Sequence, residues 1–211
     1  MSDYKLFACA GWGSAIVEAA LTLCELPFAI ETVDMKGGPA ARRQLLSVNP
    51  LGEIPTLILP DGTIMTESAA IILYLADLVP NAGLVPLEPS ARRTDFLRWL
   101  IFIVAAIYPT FTYGDDPSRW VKDKTAQGEL KASTDAARER HWLQLEGTIR
   151  PDPWILGGFS ALDIYLTVMA HWRPRRQWFK AYTPKLDAIA RAGLALPELK
   201  NVWERNEFVG K

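Results

Sequence analysis

The chain changes character at Pro80. Before it, strand and helix signals alternate; after it, strand signals nearly vanish and helical periodicity takes over. These patterns call for different packing, because alternating elements lay helices on a sheet whereas a run of helices packs helix on helix. Pro80, Gly83, Pro86 and Pro89 punctuate the change and interrupt regular structure. The expectation is two unequal units: an α/β unit over residues 1–80, a linker over 81–89 and an all-helical unit over 90–211.

Within the first unit, residues 4–8 read as a strand, Gly11 and Gly13 as a turn, and Ser14 as the cap of a helix with Ile16, Ala19, Ala20 and Leu23 on adjacent faces. Residues 28–33 form a second strand signal and 40–47 a short basic helix. Residues 56–59 and 63–65 flank Pro60, Asp61 and Gly62, a hairpin signal because Asp-Gly tolerates the positive φ of a tight turn. An alanine- and leucine-rich helix over 67–78 closes the unit. The order β-α-β-α-β-β-α requires a mixed sheet, since crossover helices join parallel strands and the hairpin joins antiparallel ones. Helices should cover both faces.

In the second unit, residues 92–108 carry Phe96, Trp99, Ile103 and Ile107 near one helical face, and Pro109 should break that helix. A more polar helix spans 125–148, and further helices run from Ser160 through Met169, over 184–192 and over 197–206. Ser160 and Asp163 stand at capping-box spacing, with Phe159 and Ile164 placed as the hydrophobic staple, so both polar residues belong to folding. His141 and His171 have no partners at metal-ligand spacing, and no metal is expected.

Charge and cysteine content restrict partners and compartment. The 211 residues are 49% hydrophobic, with 23 Lys and Arg against 24 Asp and Glu, a formal net charge of −1. That balance offers no general basic attraction for nucleic acid or a membrane surface. Arg42, Arg43, Arg92, Arg93, Arg173, Arg175 and Arg176 read as solvated faces or subunit contacts. Cys9 and Cys24 form no CxxC pair, which favours a reducing, cytoplasmic setting. The amino terminus lacks a secretory pattern, and the longest apolar stretch, 99–108, falls short of the roughly 18 residues of a membrane span.

The chemistry concentrates around Asn49, Ile54, Pro55, Glu67 and Ser68. Proline at the start of a sheet strand cannot donate to the ladder, and a cis Ile54–Pro55 bond would turn the Ile54 backbone toward a ligand. Glu67 and Ser68 open the next helix, where free N–H groups favour a carboxylate and an acidic side chain can accept from an ammonium group. Backbone pairing, an anion seat and an acidic acceptor are the demands of an amino-acid-like moiety attached to a peptide.

With these residues in this order, followed by the proline-rich linker and the stretch from Trp154 to Asp163, the chain resembles the cytosolic glutathione S-transferase family. The resemblance implies a thioredoxin-like, glutathione-binding first unit, a helical second unit completing an electrophile pocket, and a homodimer. It implies that Ile54 and Pro55 meet the cysteinyl part of glutathione, and that Glu67 and Ser68 hold its γ-glutamyl end. Glutathione would be the co-substrate and a small hydrophobic electrophile its partner. Family members carry a Tyr, Ser or Cys after the first strand; Ser14 matches the serine of serine-type classes, while Gly13 stands where beta-class enzymes have cysteine. Ser14 is the expected catalytic residue, with a hydroxyl able to donate to a thiolate near a helix start. Cys9 is the alternative, for a glutathione-dependent thiol transferase or disulfide reductase. Glu18 replaces a basic residue found in many serine-type members and would oppose a thiolate if it faced the site. Trp12, Tyr108 and Tyr113, with Phe111 and Trp172, are candidates for the apolar pocket, although such aromatics also serve as core. A noncatalytic scaffold or carrier is the remaining reading.

Overall fold

The computed structural model describes residues 3–87 and 90–209; Glu88 and Pro89 of the expected linker lie outside them. Four strands, β1 (Tyr4–Ala8), β2 (Phe28–Thr32), β3 (Thr56–Ile58) and β4 (Ile64–Met65), form one sheet in the order β2-β1-β3-β4. β1 runs parallel to β2 and antiparallel to β3, and β3 runs antiparallel to β4. This is the expected mixed, thioredoxin-like sheet. Alternation along β1 divides the side chains: Leu6 joins the main core, while Phe7 packs with Val33 and Leu45 on the other face. Helices α1 (Ser14–Leu23) and α4 (Ser68–Leu78) contribute to the main core, whereas the short α2 (Gly38–Ala41) and α3 (Arg43–Val48) take the place of one expected helix on the opposite face. The hairpin turn forms at Gly62, with φ of 89°.

The helical portion comprises α5 (Ala91–Phe102), α6 (Tyr108–Asp115), α7 (Lys124–Thr148), α8 (Ala161–Met169), α9 (Arg176–Tyr182), α10 (Pro184–Leu194) and α11 (Lys200–Arg205). The main hydrophobic core is continuous from Leu6 and Leu57 of the sheet through Ile16, Ile71 and Phe96 to Trp142, Tyr165 and Trp203. Burial of each large apolar side chain stabilises by about 1.5–3 kcal/mol, so the two portions share one stabilising core.

Pro109 does not break the helix. A π-helical segment, Ile103–Ile107, joins α5 to α6, and the Tyr108 amide donates to Ile103 O, five residues back. The wider turn relieves the contact a proline ring would make with the carbonyl four residues before it. Ala91–Asp115 is therefore one path of 25 residues, long and apolar enough by length and composition to cross a membrane. In this fold it turns Phe96, Trp99, Leu100, Ile103, Ile107 and Phe111 into the core. Helix α9 was not anticipated: it follows a Pro174 turn and carries only one fully buried residue, Phe179.

The capping box at α8 forms as expected. Asp163 is buried and accepts from the Ser160 amide at 2.8 Å, the Ile155 amide at 3.0 Å and the Ser160 hydroxyl at 3.2 Å. Burial outweighs these bonds and pushes the Asp163 carboxyl up to about 6.

Candidate active site

A cleft of about 2450 Å³ opens between the sheet edge and the helices. Its sheet side carries Asn49, Glu53, Ile54, Pro55, Glu67 and Ser68; Tyr108, Phe111 and Trp172 face them, with Ala10 to Gly13 between.

The Ile54 loop is built locally. Buried Asn49 donates through Nδ2 to Glu53 O at 3.1 Å and Thr56 Oγ1 at 3.0 Å, while its Oδ1 accepts from the Leu51 amide at 3.1 Å. The Thr56 hydroxyl donates to Glu53 O at 2.8 Å, and Gly52 takes φ of 63°. Ile54–Pro55 is cis. Among the described residues no hydrogen bond engages the Ile54 amide or carbonyl. A strand-like ligand could therefore pair with the Ile54 backbone.

Glu67 precedes α4 with φ of 61° and ψ of 105°, a left-handed conformation unusual for a side-chain-bearing residue. Its carboxylate is exposed at the cleft. Ser68 is half-buried, and its hydroxyl shares a 2.7 Å hydrogen bond with the hydroxyl of buried Tyr165 from α8. The start of α4 thus supplies unpaired amides beside a carboxylate, tied to the helical portion through Tyr165.

The turn before α1 differs from the expectation. Ser14 is fully buried, its hydroxyl accepting from the Cys9 amide at 3.1 Å and donating to Cys9 O at 3.2 Å. The hydroxyl staples the turn and is not among the cleft-lining groups. In this arrangement the one O–H donor of Ser14, the expected catalytic residue, is committed to the Cys9 carbonyl and is not directed at the cleft. Cys9 also stays outside the cleft lining, and burial pushes its thiol up, with the Met35 backbone and Lys36 acting in the opposite direction. A thiol held protonated is a poor nucleophile.

Distant residues clamp this turn. The Gly11 amide donates to Asn206 Oδ1 at 3.1 Å, and Trp172 Nε1 donates to Gly11 O at 2.8 Å. Asn206 Nδ2 donates to Glu18 Oε2 at 2.9 Å, and Arg205 Nε donates to Glu18 Oε1 at 2.6 Å. Glu18, 2% exposed, therefore faces α11 rather than the cleft and does not oppose a charge there. Burial raises its carboxyl, while Asn206 and Arg205 counteract.

The aromatic wall is ordered by edge contacts. Trp172 meets Tyr108 at 5.4 Å and Phe111 at 5.1 Å between ring centroids, and the guanidinium of buried Arg138 lies 4.3 Å from the Phe111 centroid. Trp12 lines the cleft and is 42% exposed. Tyr113 does not reach the lining; it packs on Trp120 at 4.7 Å, because it projects from another side of α6. Two of the arginines read as surface groups are instead paired, Arg173 with Asp115 at 2.5 Å and Arg176 with Asp187 at 2.6 Å. Lys36 and Arg42 also line the cleft. Sequence reasoning missed Asn206 and Arg205 altogether; an acidic Glu18 within an apolar helix was the one signal that a polar partner had to exist.

Comparison with known proteins agrees with this architecture. The family model for the glutathione S-transferase N-terminal domain matches residues 14–78. A GST-like protein of Escherichia coli K12, YncG, described as uncharacterized, is 38% identical over 209 residues, covering 97% of this chain and 99% of its own. Among solved structures, a glutathione transferase homologue from Sulfitobacter with bound glutathione superposes with a TM-score of 0.84 at 26% identity, covering 97% of this chain and 98% of its own. A sphingomonad glutathione S-transferase complexed with glutathione gives 0.78 at 29% identity, covering 97% and 100%. The chain belongs to the glutathione S-transferase family.

Proposed function

We propose that this protein is a glutathione transferase that binds glutathione as its thiolate and directs it at small, mostly apolar electrophiles. The observation that carries the reading is the pairing of an unengaged Ile54 backbone before cis Pro55 with the Glu67 carboxylate and the α4 start across one cleft. Ile54 would pair with the cysteinyl backbone of glutathione, with Pro55 shaping that seat. Glu67 and the α4 amides at Ser68 would hold the γ-glutamyl ammonium and carboxylate. Lys36 or Arg42, among the cations that line the cleft, would meet the glycine carboxylate. The glutathione bound in the Sulfitobacter and sphingomonad relatives supports the same ligand here.

The tripeptide would bind along the sheet edge between the unit of residues 1–80 and the helical unit of 90–211, joined by the 81–89 linker. Its sulfur would lie near the start of α1, where backbone N–H groups and the helix dipole favour negative charge. The S–H proton leaves to solvent, the sulfur lone pair forms the new C–S bond, and the leaving group departs with its electron pair or the acceptor carbon takes up a proton. Trp12, Tyr108, Phe111 and Trp172 would surround the electrophile. Positioning and electrostatic stabilisation do most of this work. The reading includes a cytoplasmic, homodimeric detoxification enzyme.

Isothermal titration with glutathione, followed by conversion of a reactive aryl halide, tests the proposal. Saturable binding below millimolar concentration and glutathione-dependent product are expected. Binding without turnover would favour a carrier, and no binding would reject the reading.

A further inference from the structure

With the Ser14 O–H committed to the Cys9 carbonyl, a side-chain donor at the start of α1 would have to come from elsewhere, and the helical portion offers one. A Cβ added to Gly13 would fall 2.2 Å from the Tyr108 hydroxyl oxygen, 3.4 Å from Tyr108 Cζ and 3.8 Å from Trp172 Cη2. The phenol oxygen thus occupies the space that any larger residue at position 13 would need, at the residue that immediately precedes α1. Among the described residues this hydroxyl makes no hydrogen bond.

Tyr108 is held in that position from two directions. Its backbone sits at the end of the π-helical segment, with its amide bonded to Ile103 O, and its ring packs edge-on against Trp172. Trp172 is itself anchored by its indole N–H to Gly11 O, in the same turn. Ring, indole and turn therefore form a closed circuit that leaves only the hydroxyl uncommitted.

We propose that the Tyr108 hydroxyl donates the side-chain hydrogen bond to the glutathione thiolate, with Gly13 kept side-chain-free to admit it. The inference rests on the glutathione transferase reading. The phenol keeps its proton throughout: the O–H donates to the sulfur lone pair while the S–H proton passes to solvent, and the bond relaxes as the sulfur electrons form the C–S bond. Burial, together with nearby Tyr165 and Glu67, pushes Tyr108 well above an ordinary phenol, so it is a protonated donor at neutral pH and not a base.

The test is Tyr108→Phe, which retains the ring against Trp172. The thiolate ultraviolet absorbance of enzyme-bound glutathione is followed against pH, together with glutathione Kd and the pH profile of kcat/KM. The expected result is a thiolate pKa about one unit higher and kcat/KM at neutral pH about tenfold lower, with Kd changed less than about threefold. Gly13→Ala, whose methyl crowds the same hydroxyl, should shift the titration in the same direction and serves as the second variant. A Tyr108→Phe protein that binds glutathione and titrates like the wild type overturns this inference and leaves the transferase reading standing. A wild-type protein that binds no glutathione overturns both.

Discussion

The two edges of the cleft are built in opposite ways. The Ile54 edge is assembled from its own neighbourhood, by Asn49 bonding to Glu53, Thr56 and Leu51 within the same loop. The α1 edge is held from far along the chain, by Asn206 and Trp172 on Gly11 and by Arg205 and Asn206 on Glu18. A locally built edge is stable wherever its loop folds. A remotely clamped edge depends on the helical portion being docked, which couples the shape of the sulfur seat to the integrity of α8 and α11.

The largest expected effect strikes the remote clamp. Glu18→Ala strands Asn206 and Arg205 against a buried site and should cost about 3 kcal/mol in urea denaturation, with Arg205 contributing less than a fully buried partner because it is half in solvent. If the loss is only a few tenths of a kcal/mol, the clamp is ornamental and the contrast between the edges fails.

Next comes a local device with a pH signature. Asp163 has a folded-state carboxyl raised to about 6 from 3.8, so the native state binds more protons than the unfolded state between those values. Stability is fully present below about pH 4 and falls as pH rises through 6, by about 3 kcal/mol from this group. Denaturation midpoints at several pH values should show that slope, and Asp163→Asn should flatten it.

On the local edge, Glu67→Gln should weaken glutathione binding about tenfold by calorimetry while leaving the melting temperature nearly unchanged, because the carboxylate is exposed. The smallest effect is assigned to Trp172→Phe. It removes the bond to Gly11 O and keeps an aromatic ring, and should cost about 1 kcal/mol of stability. Its kcat should fall several-fold with KM for glutathione little altered. Equal effects of both variants on glutathione affinity would erase the distinction between the edges.

Legibility in the sequence follows the same division. The Asp61-Gly62 hairpin and the Ser160–Asp163 capping box rest on contacts a few residues apart, where turn chemistry speaks directly; the mixed sheet pairs residues as distant as Lys5 and Ile58, but its sense follows from the order of locally readable elements. The loop turn at Ile54 and Pro55 and the helix start after Glu67 are local features of the same kind, and the structure brings them to one cleft. Ser14 was half legible: α1 does begin there, but Gly13 is the capping position and the Ser14 side chain caps nothing, because its hydroxyl bonds the Cys9 backbone instead. Tyr108 was misread as lying at a broken helix end, since a π-helical turn that absorbs Pro109 leaves no compositional mark. Asn206 and Arg205 carry no signal of their own beyond the need of Glu18 for a polar partner, because their meaning comes from docking nearly the whole chain length away from α1.

The most direct measurement is a crystal structure of the protein with glutathione. The account predicts the cysteinyl backbone paired with Ile54, the γ-glutamyl end at Glu67 and Ser68, and the sulfur within hydrogen-bond reach of the Tyr108 hydroxyl at the start of α1. A sulfur bonded to Ser14 Oγ or joined to Cys9 Sγ, with Tyr108 turned away, would contradict it.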